Sequence, residues 1–272
     1  MAHPKLIVFD VDGTLLHTGQ RITPQAAAAV ADLVRDGLEV ALASARLDES
    51  LAVVNQAVGV PLHRISYNGA LTRHADGEVV HEVGFGITPA LAEALAALVN
   101  SGGTIDLYLT DGRWLAIGTD EAIAREERDT WCVASSHASS TEAAELAGID
   151  CRKILCEGPD ELVVRLDAAV AEMPGINLTH SGMDLHDIWP ETSGKGNALA
   201  ALCQRLGIIP DEVVACGDSA TDLPMIELAG TGVGVAPCAP AVREAADVVV
   251  EGPGSEQLFA TVRELAGLPA AH

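Results

Sequence analysis

The sequence predicts an α/β fold in which a doubly wound, parallel-sheet (Rossmann-like) core carries an inserted α+β domain. Short apolar runs alternate with helical segments in the first third of the chain and again after Pro190. Such runs are typical of strands buried on both faces, and strand–helix alternation favours a parallel sheet with right-handed crossovers. Hairpin signals interrupt this pattern in the middle. We therefore expect a discontinuous core over residues 1–82 and 189–272, with the insert at 83–188.

The first third contains three predicted strands and two predicted helices. Thr23-Pro24 is typical of a helix N-cap followed by a first helical residue, and Gly37 and Gly59 are placed to end the two helices. The expected elements are a strand at 6–9, a helix from 24 to about 37, a strand at 38–43, a helix at 47–58 and a strand at 64–67.

The middle of the chain shows hairpin signals, whereas the last part again alternates strands and helices. Asp76-Gly77 and Asp111-Gly112 each separate two β-rich runs, as in a hairpin. The expected middle elements are a helix at 88–100, strands at 104–110 and 113–118, a polar helical stretch, a strand at 153–156, a helix at 159–172 and strands at 176–180 and 184–189. The doubly wound pattern then returns with a helix at 195–206, a strand at 213–216, a helix at 223–228, strands at 232–235 and 248–250 and a helix at 255–265.

The composition excludes several classes of function. The chain has 16 Lys+Arg against 39 Asp+Glu, a formal net charge of -23, whereas a nucleic-acid surface needs clustered basic residues. No apolar run approaches the ~18 residues of a membrane-spanning helix, and we expect neither a membrane partner nor a signal peptide. The six cysteines form no CxxC pair, which favours a reducing, cytoplasmic location. The sequence leaves monomer and homo-oligomer open.

Two aspartates directly follow the first predicted strand, in the segment Asp10-Val11-Asp12-Gly13-Thr14. Ligands of open parallel sheets bind at the carboxyl ends of the strands. Two carboxylates at one strand end repel each other unless a cation neutralises them, and hard oxygen ligands favour Mg²⁺. The alternative interpretation is a solvated Asp-Gly turn.

A second acidic pair, Asp218 and Asp222, follows the predicted strand at 213–216. The two pairs converge if their strands are neighbours in the sheet. Lys195 begins a predicted helix between two glycines, where it offers an ammonium group and backbone N–H groups to a phosphate. Ser44, in Ser44-Ala45-Arg46, offers a hydroxyl at the end of the second strand.

These ordered motifs resemble those of haloacid dehalogenase (HAD) superfamily phosphatases, Cof-type subfamily IIB, in which a large α+β cap lies between the second and third motifs. Asp-Val-Asp-Gly-Thr matches the first motif, Ser44 the second, Lys195 the third, and Gly217-Asp218 with Asp222 the fourth. The match covers essentially the whole chain. The resemblance implies a HAD hydrolase core at 1–82 and 189–272, and a cap domain at 83–188.

The resemblance also implies an activity, that of a Mg²⁺-dependent phosphoric monoester hydrolase acting on small, sugar-phosphate-like metabolites. Asp10 would attack phosphorus to give an aspartyl-phosphate, while Asp12 would protonate the leaving oxygen and then activate water. Asp10, the Asp12 backbone carbonyl and Asp218 would hold Mg²⁺, with Asp222 bonded nearby. The substrate-binding residues so implied are Ser44, Arg46, Lys195 and, from the Asn-Gly-Ala segment before the cap, Asn68 and Gly69.

Three positions depart from the family pattern. Two alternative functions also stay open. Ala45, Thr221 and Cys238 stand where the family commonly has Gly, Asn and Asn. One alternative is a phosphomutase, because related enzymes share the cap type and the aspartate pair. The other is a non-enzymatic phospho-acceptor domain, which is disfavoured by Asp12 and by the long insert, since the insert is typical of a substrate lid.

Overall fold

The computed structural model describes residues 3–158, 160–180 and 185–269. The chain divides into two compact units, Met1–Glu82 with Gly194–His272, and Val83–Ser193. The second division was expected after residue 188. It lies after Ser193 instead, because the last strand of the second unit continues through Pro190.

The first unit opens with alternating strands and helices, as the sequence predicts. Thr23 caps the first helix, since its Oγ1 accepts a hydrogen bond from the N–H of Ala26 at 3.1 Å. Gly59 ends the second helix in the left-handed conformation, at φ 79°. The elements are β1 (Leu6–Asp10), α1 (Pro24–Arg35), β2 (Glu39–Ala43), α2 (Asp48–Val58), β3 (His63–Ser66), β4 (Leu71–Arg73) and β5 (Val79–Glu82).

The second unit has its own sheet and its own apolar core. Its elements are β6 (Phe85–Gly86), α3 (Pro89–Asn100), β7 (Thr104–Leu109), β8 (Trp114–Ile117), α4 (Asp120–Thr130), β9 (Ser136–Ala138), α5 (Ala143–Leu146), β10 (Asp150–Glu157), α6 (Asp160–Ala171), β11 (Ile176–His180) and β12 (Leu185–Pro190). The strands follow the order β11-β12-β10-β7-β8-β9, with β6 beside β10. All pairs are antiparallel except β8 with β9, as an α+β module requires. Buried side chains of α3 and α6 pack on one face of this sheet.

The first unit resumes with α7 (Lys195–Leu206), β13 (Val213–Gly217), α8 (Leu223–Leu228), β14 (Thr231–Ala236), α9 (Pro240–Ala245), β15 (Val248–Glu251) and α10 (Glu256–Leu265). Its eight strands follow the order β15-β14-β13-β1-β2-β3-β4-β5. Six are parallel, and β4 and β5 form an antiparallel edge.

The register of this sheet positions the polar residues. β1 is fully buried and lies between β13 and β2, with Phe9 opposite Cys216 and Asp10 opposite Ala43. The carboxyl ends of the three strands therefore lie side by side. This register therefore makes Asp10, Ser44 and Asp218 neighbours at the carboxyl end of the parallel strands.

The observed elements agree with the predicted ones to within a few residues. The largest displacement is β10, which runs over Asp150–Glu157 where 153–156 was expected. The predicted starts at Pro159 and Asp184 lie outside the described residues. Four short elements were not predicted, namely β6, β9, α5 and α9. None of the helices within the described ranges is long and apolar enough to cross a membrane.

Candidate active site

Lys195 joins the two acidic motifs at the carboxyl end of β1. Its Nζ donates to Asp10 Oδ1 at 2.6 Å and to Asp222 Oδ1 at 2.5 Å. Lys195 begins α7 and is 2% exposed, and Asp10 is 5% exposed. The structure therefore brings together the predicted residues of the first, third and fourth motifs in one buried ion network.

Asp222 organises the loop after β13. Its Oδ2 accepts hydrogen bonds from the N–H groups of Asp218 and Ser219, at 3.0 and 2.8 Å, and from Ser219 Oγ at 2.9 Å. Together with the bond from Lys195 to Oδ1, these contacts give Asp222 four donors, three of them on Oδ2. Asp222 is thus committed to holding Lys195 and its own loop, which makes it a poorer candidate metal ligand than the sequence indicated.

Asp218 is held against the first motif. Thr14 Oγ1 donates to Asp218 Oδ1 at 2.9 Å. Gly13 has φ +93°, and a Cβ at this position would lie 2.5 Å from Asp218 Oδ2. Only glycine permits both this turn and this close approach of the two motifs.

The electrostatics of the network show an excess of negative charge. Burial raises the pKa of Asp10 well above its ordinary value, and the Lys195 ammonium offsets only part of this effect. Burial also raises the pKa of Asp218, against the hydrogen bond from Thr14. Burial opposes the charge on Lys195, yet the carboxylates of Asp10 and Asp222 more than compensate and raise its pKa. Three carboxylates facing one ammonium group favour a further cation.

The donor set fits a hard divalent ion. Asp10, Asp218 and Asp222 each place a carboxylate oxygen within 4.8 Å of the others. Asp10 Oδ2 is buried and has no hydrogen-bond partner within the described part of the chain. An orphaned, buried carboxylate oxygen is costly unless a cation or substrate contacts it. Because all the donors are oxygens, the residues fit Mg²⁺.

Asp12 and the second motif form a neighbouring group. Arg46 Nε donates to Asp12 Oδ2 at 2.6 Å, and Arg46 Nη2 donates to Asp12 Oδ1 at 2.9 Å. Ser44 is buried, and its Oγ accepts the backbone N–H of Arg46 at 3.2 Å. Arg46 was expected to bind substrate, and in the structure its guanidinium is paired with the carboxylate of Asp12.

The turn over Tyr67–Gly69 links the second and third motifs. The N–H of Asn68 donates to the carbonyl of Ser44 at 3.0 Å, and the N–H of Gly194 donates to the carbonyl of Asn68 at 2.7 Å. A Cβ at Gly69 would lie 2.4 Å from the Gly194 carbonyl oxygen, so glycine is needed for this approach. Asn68 and Gly69 therefore hold the site together through their backbones, whichever group the Asn68 side chain binds.

Sequence reasoning gave no role to three residues that support the site. Thr14 bonds Asp218, Ser219 bonds Asp222, and Ser50 accepts a hydrogen bond from Arg46 Nη1 at 3.0 Å. Thr14 was visible inside the first motif, but its partner lies 204 residues away. Thr221 is exposed, and its Oγ1 lies 2.8 Å from Ser219 Oγ, which in turn donates to Asp222 Oδ2.

The second unit contains a separate group of buried polar side chains. Asp106 is 4% exposed and accepts a hydrogen bond from Trp114 Nε1 at 2.8 Å. Lys153 Nζ pairs with Asp187 Oδ1 at 2.6 Å. Burial raises the pKa of Asp106 to about 7, and the nearby carboxylate of Glu126 contributes to the rise. None of the site residues predicted from the sequence belongs to this group.

A sequence model of the haloacid dehalogenase-like hydrolase family matches residues 7–253. The chain belongs to this family. It is 28% identical over 266 residues to a phosphoglycolate phosphatase of Halobacterium salinarum, covering 96% of each protein. It is 25% identical over 231 residues to an HMP-PP phosphatase of Serratia proteamaculans, covering 84% of this chain and 82% of the relative.

Solved structures share the fold at low sequence identity. A haloacid dehalogenase-like hydrolase from Bacteroides thetaiotaomicron superposes with a TM-score of 0.81 at 20% identity, covering 96% of this chain and 99% of the other. A HAD subclass IIB sugar phosphatase superposes with a TM-score of 0.74 at 18% identity, covering 97% and 99%. The fold predicted from the sequence is confirmed, with a core and a cap. The chain is a haloacid dehalogenase-like hydrolase, and the relatives that it matches over most of its length are phosphatases.

Proposed function

We propose that this protein is a Mg²⁺-dependent phosphatase that hydrolyses small, sugar-phosphate-like metabolites through an aspartyl-phosphate on Asp10. One observation carries the proposal. Lys195 holds one oxygen of Asp10, while the other is buried at the end of the central strand without a hydrogen-bond partner among the described residues. A carboxylate nucleophile needs this combination of one fixed oxygen and one available oxygen.

In the first step, Asp10 Oδ2 forms a bond to phosphorus as the bond from phosphorus to the leaving oxygen breaks. Lys195 orients Asp10 for this attack, and the hydroxyl of Ser44 and the ammonium of Lys195 offset charge on the phosphoryl oxygens. Asp12 gives a proton to the leaving oxygen. A neutral alcohol then departs and the phosphoryl group remains on Asp10.

In the second step, water attacks the phosphorus of the aspartyl-phosphate. Asp12, now a carboxylate, takes a proton from the water as the bond between phosphorus and Asp10 breaks. Inorganic phosphate leaves and the Asp10 carboxylate is restored. Asp12 is well placed for both transfers, because it follows Asp10 by two residues and its side chain is 26% exposed.

The residues proposed to hold Mg²⁺ are Asp10, Asp218 and the backbone carbonyl of Asp12. Asp222 is proposed to support these ligands without binding the ion, since its oxygens already accept hydrogen bonds from Lys195 and from the loop after β13. When bound, Mg²⁺ neutralises carboxylate and phosphoryl charge and so reduces the repulsion between nucleophile and substrate. Thr14 orients Asp218 for this task.

The substrate class is inferred from the charge of the chain and from its relatives. The relatives named above act on different compounds, HMP-PP and phosphoglycolate. A net charge of -23 disfavours nucleic acids and other extended polyanions, since such substrates need a basic surface. We infer a small monoester that the few local cations suffice to bind. The cytoplasmic location stays a prediction, as does any choice between monomer and homo-oligomer.

The test is a panel of phosphorylated metabolites assayed for free phosphate, with Mg²⁺ and with excess chelator, using Asp10→Asn as the control. We expect turnover of at least one small monoester by the wild type with Mg²⁺, and none by the variant. Transfer of phosphate to a second position of the same sugar would show a phosphomutase instead. Undiminished turnover in chelator would contradict the metal assignment.

A further inference from the structure

Arg46 binds the carboxylate of Asp12 through a two-pronged ion pair. Its Nε and Nη2 atoms donate to the two different oxygens of Asp12, at 2.6 and 2.9 Å. The Arg46 side chain is 11% exposed, so water competes little for these bonds. A planar guanidinium that meets both oxygens fixes the orientation of a carboxylate, which a single point charge does not.

Arg46 is also held by groups other than Asp12. Its Nη1 donates to Ser50 Oγ at 3.0 Å, and Ser50 is fully buried in the first turn of α2. Its backbone N–H donates to Ser44 Oγ at 3.2 Å. The position of the guanidinium is therefore set by α2 and by the end of β2, rather than by Asp12 alone.

We propose that Arg46 is a positioning residue for Asp12 and does not bind the phosphoryl group. This inference rests on the proposed function, in which Asp12 gives a proton to the leaving oxygen and takes one from water. A carboxylate has about four lone-pair sites, and the pair with Arg46 uses one on each oxygen. One site on each oxygen remains to carry the proton, in a direction that Arg46 fixes. Arg46 exchanges no proton in either step.

The competing interpretation is a purely structural ion pair, and the chain offers a matched control. Arg64 Nε and Nη2 donate to the two oxygens of Asp48, at 2.9 and 3.2 Å. This pair has the same two-pronged form and a similarly buried arginine, 15% exposed, although Asp48 also accepts a hydrogen bond from Arg73 Nε at 2.9 Å. Arg46→Lys and Arg64→Lys each keep the positive charge and remove the fork.

The first experiment compares single-turnover release of the leaving group from p-nitrophenyl phosphate and from an alkyl phosphate. The aryl leaving group departs without a proton, whereas the alkyl one needs it. For Arg46→Lys we expect the rate with the alkyl phosphate to fall by about 10–100-fold, the aryl rate to fall much less, and KM to change less than about threefold. Arg64→Lys should stay within about twofold of wild type on both substrates.

Other outcomes would overturn the proposal. If Arg46 bound phosphate, Arg46→Lys would raise KM by about tenfold or more and slow both substrates equally. Equal losses in Arg46→Lys and Arg64→Lys would assign both arginines to structure only.

A second experiment needs no turnover. Crystal structures of the wild type and Arg46→Lys should show the Asp12 carboxylate reoriented or in two conformers in the variant, with Asp10 and Lys195 unmoved. An unchanged Asp12 would refute the positioning role. If the wild type hydrolyses nothing in the panel, the proposed function fails, and the crystal structures still decide whether Arg46 orients Asp12.

Discussion

Replacing the two ends of the Asp10–Lys195 ion pair should have very unequal effects on stability while abolishing activity in both cases. Lys195→Met removes the only cation bonded to Asp10 and Asp222 in the described structure, leaving two buried carboxylates uncompensated. Removing one partner of a buried pair costs about 3–5 kcal/mol. For a chain of this size, that loss corresponds to a fall in melting temperature of roughly 10 °C.

Asp10→Asn should behave differently. Burial already raises the pKa of Asp10, so the native fold disfavours its charge. An amide oxygen can still accept from Lys195, and the amide nitrogen can take the place of the orphaned Oδ2 beside the Asp218 carboxylate. We therefore expect the free energy of unfolding to change by less than about 1 kcal/mol, or to rise slightly.

The assay is thermal unfolding in excess chelator, so that bound metal does not mask the difference. Arg35→Met is the control, because its pair with Asp32 is exposed at the surface and should contribute less than about 1 kcal/mol. Equal destabilisation by Asp10→Asn and Lys195→Met, or no destabilisation by Lys195→Met, would refute the charge balance derived for this site.

Three further predictions follow from particular side chains. The pKa of Asp106 is about 7 in the folded protein against an ordinary value of 3.8, so the free energy of unfolding should fall as pH rises through that interval. Between about pH 5 and pH 8 the wild type should lose ~2–3 kcal/mol of unfolding free energy through this group, and Asp106→Asn should remove that loss in urea unfolding. At saturating Mg²⁺, Thr221→Asn should change kcat/KM by less than about tenfold, or 1.4 kcal/mol, whereas Asp218→Ala should lower kcat/KM far more. A hundredfold change for Thr221→Asn would place that residue in direct contact with metal or substrate. Ca²⁺ should support turnover poorly, since it accepts more ligands at longer distance than Mg²⁺, and equal rates with both ions would contradict this.

Much of the fold could be predicted because its signals are local. The apolar run at 6–9 and the caps at Thr23 and Gly59 report on chain segments that form strands and helices by themselves. The missed elements carry no such signal. All three residues of β9, Ser136–Ala138, are exposed, so they show no alternation of apolar and polar side chains.

The residues that form the site could be predicted from the sequence, but which side chains bond to each other could not. Asp10, Lys195 and Asp218 were identified from strand ends and from a family resemblance, yet their contacts depend on β1 lying between β13 and β2. The bond between Arg46 and Asp12 joins two loops 34 residues apart, and nothing in the sequence indicated that these two residues are partners. The charge on a side chain shows that it needs a partner, but only the register of the sheet shows which partner it has.

The most direct test of the central claim is to locate the phosphoryl group during turnover. Wild-type protein mixed with substrate and Mg²⁺ is quenched in acid within one turnover and digested with trypsin, which releases residues 6–21 as one peptide. Fragmentation of that peptide by mass spectrometry should place one phosphoryl group on Asp10, with none on Asp12, and the Asp10→Asn peptide should stay unmodified. A phosphoryl group found elsewhere in the chain, or Asp10→Asn turning over at more than about a tenth of the wild-type rate, would contradict the account.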